Sequence, residues 1–140
     1  MASGDGTVIN GEGSRNAAGV EATPKKPRRT PGRMNKTEER FEREWIRPRY
    51  AIGEVENWGF ERIKLRLGKA TWYEVDFDIV TTEAILMVDV KGYWHEDARV
   101  KIKAAAQTFP FYLFVGATEP NGEGNGWELE YFSPWHGPRV

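Results

Sequence analysis

Two nearly continuous apolar runs, residues 85–91 (Ile-Leu-Met-Val-Asp-Val-Lys) and residues 111–117 (Phe-Tyr-Leu-Phe-Val-Gly-Ala), are separated by a segment of helical period. This arrangement constrains the fold more than any other part of the chain. A strand that is apolar on both faces has to be covered on both faces, as strands of parallel sheets are. Between the runs, over residues 96–108, Ala98, Ile102, Ala105 and Ala106 fall on one stripe that continues to Phe109. Glu96 and Asp97 suit the positive end of such a helix, and Pro110 marks its end. Strand, helix and strand in that order predict a parallel crossover, with residues 111–117 central in the sheet.

Upstream the period is different. Ile63, Leu65 and Leu67 alternate with Arg62, Lys64 and Arg66, which predicts a half-buried strand with one basic face. After a turn at Gly68-Lys69-Ala70, Tyr73, Val75, Phe77 and Ile79 alternate with Glu74, Asp76, Asp78 and Val80 in a second strand. Thr81 to Ala84 turn the chain into the run at 85–91. A helix is expected from Met34, capped by Asn35 or Thr37 and carrying Phe41, Trp45 and Ile46 on one stripe, with Pro48 as its stop. Residues 53–59 read as a loop, and Trp-Glu-Leu-Glu-Tyr-Phe at 127–132 as a fifth, edge strand. The expected class is α/β, a mixed sheet of about five strands flanked by helices in the order α-β-β-β-α-β-β.

Residues 1–33 carry six Lys/Arg against three acids and hardly a large apolar side chain, so they read as a disordered basic tail. Pro24 to Arg29 could hold phosphates loosely or simply keep the chain in solution. Residues 34–140 read as one domain, with 14 basic and 18 acidic residues. The absence of cysteine excludes disulfides, thiolate zinc sites and cysteine nucleophiles. No apolar run reaches the roughly 20 residues of a membrane span, and no secretion signal opens the chain. The expectation is a soluble cytoplasmic protein with no membrane partner.

The chemistry concentrates where the buried run ends, at Asp89-Val90-Lys91-Gly92. If the turn before it is centred between Thr82 and Glu83, Asp76 stands opposite Asp89 and Glu74 opposite Lys91. An odd-sized turn would undo this pairing. Opposed side chains have Cβ atoms about 4.5–5.5 Å apart, where like charges repel. A hard cation between them reverses the sign of the interaction. Mg²⁺, with Mn²⁺ as a substitute, suits two carboxylates, and Lys91 shares a face with Asp89. A lysine there can stabilise charge building on a phosphoryl group. The competing explanation is an ordinary ion pair at a strand end. Asp78 and Glu74 rival Asp76 as ligands, although both are expected to face solvent.

At these residues the chain resembles the PD-(D/E)XK nuclease superfamily, whose pattern is an acid on one strand and acid-x-Lys on the next. The matching pieces are Tyr-Glu-Val-Asp-Phe (Asp76) and Val-Asp-Val-Lys-Gly (Asp89, Lys91). More narrowly it resembles small phage-encoded endonucleases related to Holliday-junction resolvases. The resemblance runs through Met-Asn-Lys-Thr-Glu at 34–38, Lys-Leu-Arg-Leu at 64–67 and Val-Lys-Gly-Tyr-Trp…Asp-Ala-Arg-Val-Lys-Ile-Lys at 90–103, and covers roughly residues 34–118. It implies a restriction-endonuclease-like core, Asp76 and Asp89 as metal ligands aided by the Val90 carbonyl and by Glu38, and Lys91 as the catalytic lysine. It also implies activity in a host bacterial cytoplasm. Val75 stands where the pattern usually has proline, and the second acid is Asp rather than Glu. Glu38 would also be favourable in a first helical turn with no metal at all.

The function expected from sequence is therefore a Mg²⁺-dependent DNA endonuclease, on branched DNA if the narrower resemblance holds, with a homodimer as a plausible assembly. Lys64, Arg66, Arg99, Lys101 and Lys103 are candidate phosphate contacts or solvated faces. The alternative is a non-catalytic DNA-binding or packaging accessory protein with the same fold. His95 is more ordinary as a loop residue than as a base. Trp127, Tyr131 and Trp135 are expected to serve packing or subunit contacts, and Tyr93 and Trp94 to pack against a substrate.

Overall fold

Asn35 determines where the first helix begins. Its side-chain oxygen accepts from the Glu38 N–H at 2.8 Å, while Glu38 Oε1 accepts from the Asn35 N–H at 2.9 Å, a reciprocal capping box. The computed structural model describes residues 31–132. The expectation of a separate tail over residues 1–33 falls, but for its last three residues, outside them, as does Trp135. α1 (Lys36–Phe41) leads into a π-helical turn (Glu42–Ile46) and then α2 (Arg47–Ala51). Pro48 therefore does not stop the helix. In the π turn the Arg47 N–H bonds to the Glu42 carbonyl five residues back. Pro48 then falls at the start of a fresh α segment, where a missing N–H is tolerated.

Five strands, β1 (Val55–Gly68), β2 (Thr71–Thr81), β3 (Ile85–Val90), β4 (Leu113–Thr118) and β5 (Glu128–Tyr131), form one sheet in that spatial order. β3 and β4 pair in parallel across α3 (Glu96–Thr108), and the remaining pairs are antiparallel. The protein is thus α/β with a mixed sheet. The helix over 96–108 and the edge position of the last strand agree with the sequence reading. Three details differ. β3, not the 111–117 run, is the middle strand. Phe111 is exposed and Tyr112 half-buried before β4 begins. β1 starts at Val55, so most of 53–59 is strand rather than loop, because Val55, Trp58 and Phe60 pack against the first helix.

The sheet separates two cores. On one side Phe41, Trp45 and Ile46 meet Phe77, Leu86, Val88 and Val115. On the other Ile102, Ala105 and Ala106 meet Tyr73, Val75, Met87 and Phe114. Cover on both faces explains why β3 and β4 are apolar throughout.

The β1–β2 hairpin changes sides part-way along. A bulge separates Phe60 from Ile63, with Glu61 at φ 51°. Before it, Trp58 and Phe60 face the α1 core; after it, Ile63, Leu65 and Leu67 face the α3 core. β2 follows, with Phe77 and Ile79 on the first side and Tyr73 and Val75 on the second, so alternation reverses across Asp76. The β2–β3 ladder stops at Phe77 opposite Val88. Beyond that rung, β2 pairs only with β1, as a two-stranded ribbon whose apolar face rests in the α3 core.

Trp94 fills a place that a side chain would otherwise take. Gly116 pairs with Asp89, and a Cβ at Gly116 would lie 2.0 Å from the Trp94 ring. The indole is turned inward against Phe132, with Arg99 over its ring, rather than outward toward a substrate as expected. Gly116→Ala is expected to destabilise the fold by about 1–3 kcal/mol through overpacking. Gly92→Ala, with open space around it, should change little; urea melts of the two variants make the comparison.

Candidate active site

The Thr81 hydroxyl sets the register on which the site depends. It accepts from the Glu83 N–H (3.1 Å) and the Ala84 N–H (2.9 Å) and donates to the Ala84 carbonyl (3.1 Å), while the Thr81 N–H bonds to the same carbonyl at 2.9 Å. The turn is therefore even-sized and centred on Thr82 and Glu83. Val80 pairs with Ile85 and Phe77 with Val88, so counting on brings Asp76 to Asp89. No backbone rung forms there. The Asp76 carboxylate enters the gap, and its Oδ2 accepts from the Val90 N–H at 2.9 Å.

Asp76 and Asp89 are both buried and hydrogen-bond to each other. Asp89 also accepts from the Tyr73 hydroxyl at 3.2 Å and pairs with the Lys91 ammonium at 3.2 Å. The Lys91 side chain is 36% exposed, and its backbone N–H is anchored on the Ala117 carbonyl at 2.9 Å. The pair is thus neither a surface ion pair nor a closed internal one. Asp89 is inside and Lys91 reaches out.

Burial, the neighbouring Asp89 charge and the Asp89 hydrogen bond push the Asp76 carboxyl up to about 9, against a smaller lowering by the Val90 N–H. Glu38 adds to the rise from the α1 side, so three acids act on one region. The Tyr73 hydroxyl is raised far above the ordinary phenol range, first by burial and then by Asp89, so it remains a donor.

Glu38 is fully buried and closes the capping box. Asp78 is buried, not solvent-facing, because Arg62 grips it with two nitrogens at 2.8–3.0 Å. That grip takes Asp78 out of competition for a cation and takes Arg62 out of the basic face. Glu74 is exposed and pairs across β1 with Lys64, not with Lys91, because the β2–β3 ladder has already ended.

Arg99 is bonded to Glu130 at 2.6 Å, whereas Lys64, Arg66, Lys101 and Lys103 are exposed. His95 occupies the N-cap position of α3 without a side-chain capping bond and lies edge-on to the exposed ring of Tyr93. Trp127 donates to Glu44 at 3.0 Å and packs edge-on to Phe41, and Tyr131 packs on the same core.

Comparison with family models, with curated proteins and with solved structures finds no match to this chain.

Among the described residues no three His, Asp or Glu side chains form a cluster ready to hold a metal ion. The fit to a cation rests on two adjacent buried carboxylates, which a divalent ion would relieve of their mutual repulsion. Carboxylate and carbonyl oxygens are the donors Mg²⁺ takes, with water completing its shell. Tyr73 is the residue sequence reasoning missed. Its alternation marked only a core position, and its hydroxyl reaches Asp89 because the ribbon turns its side over to the α3 core. Among the described residues no helix is long and apolar enough to cross a membrane.

Proposed function

We propose that this protein is a Mg²⁺-dependent DNA endonuclease with a restriction-endonuclease-like core, hydrolysing phosphodiester bonds in branched DNA. One observation carries the reading: Asp76 and Asp89 are buried against each other at the broken end of the β2–β3 ladder, with Lys91 paired to Asp89 and reaching outward. Two buried acids that could both ionise only with a cation between them, beside a lysine that could meet a phosphate, suit phosphoryl chemistry better than they suit a fold needing only stability.

Asp76 and Asp89 would hold the metal, with the Val90 carbonyl and, after local adjustment, Glu38. When bound, Mg²⁺ supplies Lewis acidity and a more acidic water. The Val90 N–H orients the Asp76 carboxylate, and the Tyr73 hydroxyl orients that of Asp89. Lys91 would leave Asp89 for the scissile phosphate and stabilise the charge that grows on it. Lys101 and Lys103 on α3 would add salt-sensitive backbone contacts. A two-fold dimer would match the symmetry of a four-way junction.

The test incubates the protein with four-way junction and linear duplex DNA, with Mg²⁺ and with EDTA. Strand scission of the junction that requires Mg²⁺ is expected. DNA binding with no product on either substrate would sink this reading in favour of a non-catalytic DNA-binding protein.

A further inference from the structure

The outer face of the β1–β2 ribbon carries Lys64, Arg66 and Trp72, opposite the apolar face that rests on α3. Arg66 pairs directly with Trp72 across the strands, and its guanidinium carbon lies 5.8 Å from the indole centroid; the Lys64 ammonium lies 5.7 Å from it. Arg66 Nε donates to the Gly68 carbonyl at 3.1 Å, which steadies the guanidinium beside the ring. Trp72 is nevertheless 43% exposed, although a large apolar ring gains by burial. Lys69 is exposed at the ribbon's turn, and Glu74, opposite Lys64, is the acid on this face. The balance is basic, around an accessible aromatic ring.

We infer that this face binds a DNA strand carrying unpaired nucleotides, with Trp72 stacking on a base and Lys64 and Arg66 on the flanking phosphates. An indole offers a flat apolar surface to a base. Inside an intact duplex both faces of each base are already covered by neighbours, so the partner this ring selects is an unpaired or splayed base. The two cations supply the sequence-independent attraction to the backbone. Trp72 precedes Asp76 by four residues on one strand, roughly 13 Å at strand rise. That separation places the stacked base a few nucleotides from the phosphate at the carboxylates. The inference deepens the nuclease reading and rests on it for that placement. It adds a requirement for unpaired DNA beside the cut.

The experiment measures binding of labelled DNA in EDTA, comparing a blunt duplex with the same duplex bearing a short single-stranded tail. Wild type is expected to prefer the tailed DNA. Trp72→Ala should lower the tailed-to-blunt affinity ratio on the order of 10-fold, while Trp72→Phe keeps most of it. Arg66→Ala should weaken both substrates alike and flatten the salt dependence. The inference is overturned if Trp72→Ala, folded by circular dichroism, leaves the ratio unchanged, or if wild type binds neither DNA. If the ratio falls as expected but wild type cuts no DNA with Mg²⁺, the binding face stands and the endonuclease reading alone fails.

Discussion

Lys91→Ala is expected to fold normally and to cut DNA on the order of 10³-fold more slowly at saturating Mg²⁺. The Lys91 backbone is held by the Ala117 carbonyl whatever its side chain, and the side chain is more than one third exposed. Losing the ammonium leaves the buried Asp89 carboxylate with the Tyr73 donor and without its cation, so some stability is lost while the fold persists. In the transition state the same ammonium would face charge accumulating on the phosphoryl oxygens, where a preorganised cation has its largest effect. Lys91→Arg should recover little, because a planar fork cannot take the position of a compact ammonium. Asp89→Asn should lose a comparable factor through weakened metal binding. Single-turnover cleavage separates these effects from DNA binding, and wild-type rates from folded Lys91→Ala and Asp89→Asn would refute the assignment.

Asp76→Asn should raise the melting temperature at pH 8 in EDTA by at least about 5 °C, and by far less at pH 4. Unfolded, Asp76 loses its proton near pH 4; folded, it keeps it up to about 9, because it is buried against Asp89 with Glu38 nearby. The folded state holds the extra proton between those limits. Stability from this group is thus fully present at acid pH and drains away as pH rises from about 4 to about 9. Asparagine imitates the protonated acid: its oxygen can still accept from the Val90 N–H and its amide can donate to Asp89. Mg²⁺ should narrow the gap. At a hundred times its Kd it stabilises the wild type by about 2.7 kcal/mol, and the variant, lacking a ligand, should gain much less. Scanning calorimetry at both pH values, with and without Mg²⁺, reads all four arms. A wild-type melting temperature independent of pH and of Mg²⁺ would show that the carboxylates carry neither strain nor metal.

The parts of this molecule governed by local pattern were legible in the chain. The period-3.6 stripe placed α3, and the even turn at Thr82-Glu83 brought Asp76 to Asp89 by counting. What escaped depended on contacts between elements. The strand around Val55–Phe60 looked like a loop because Gly53 and Gly59 punctuate it, yet packing on the first helix overrides that signal. The burial of Asp78 needed the partner across β1, which the bulge at Glu61 shifts by one residue and no simple alternation foretells. The same bulge takes the Tyr73 side of the ribbon to the α3 core and so gives Asp89 a hydroxyl donor. Trp94 turns inward because Gly116 leaves room for it, a pairing visible only once β3 and β4 are side by side.

The π turn between α1 and α2 works as a phase shifter. A regular α-helix advances about 100° per residue, so the extra residue within Glu42–Ile46 sets the angle at which the N-terminal segment meets the sheet independently of the C-terminal one. Shortening that turn by one residue would leave Trp45 and Ile46 in the core but roll the Asn35–Phe41 segment by about a quarter of a circle. Glu38 would swing away from Asp76, and Phe41 out of its place against Phe77. Inheritance of this site therefore depends on helix length as much as on which acids the helix carries.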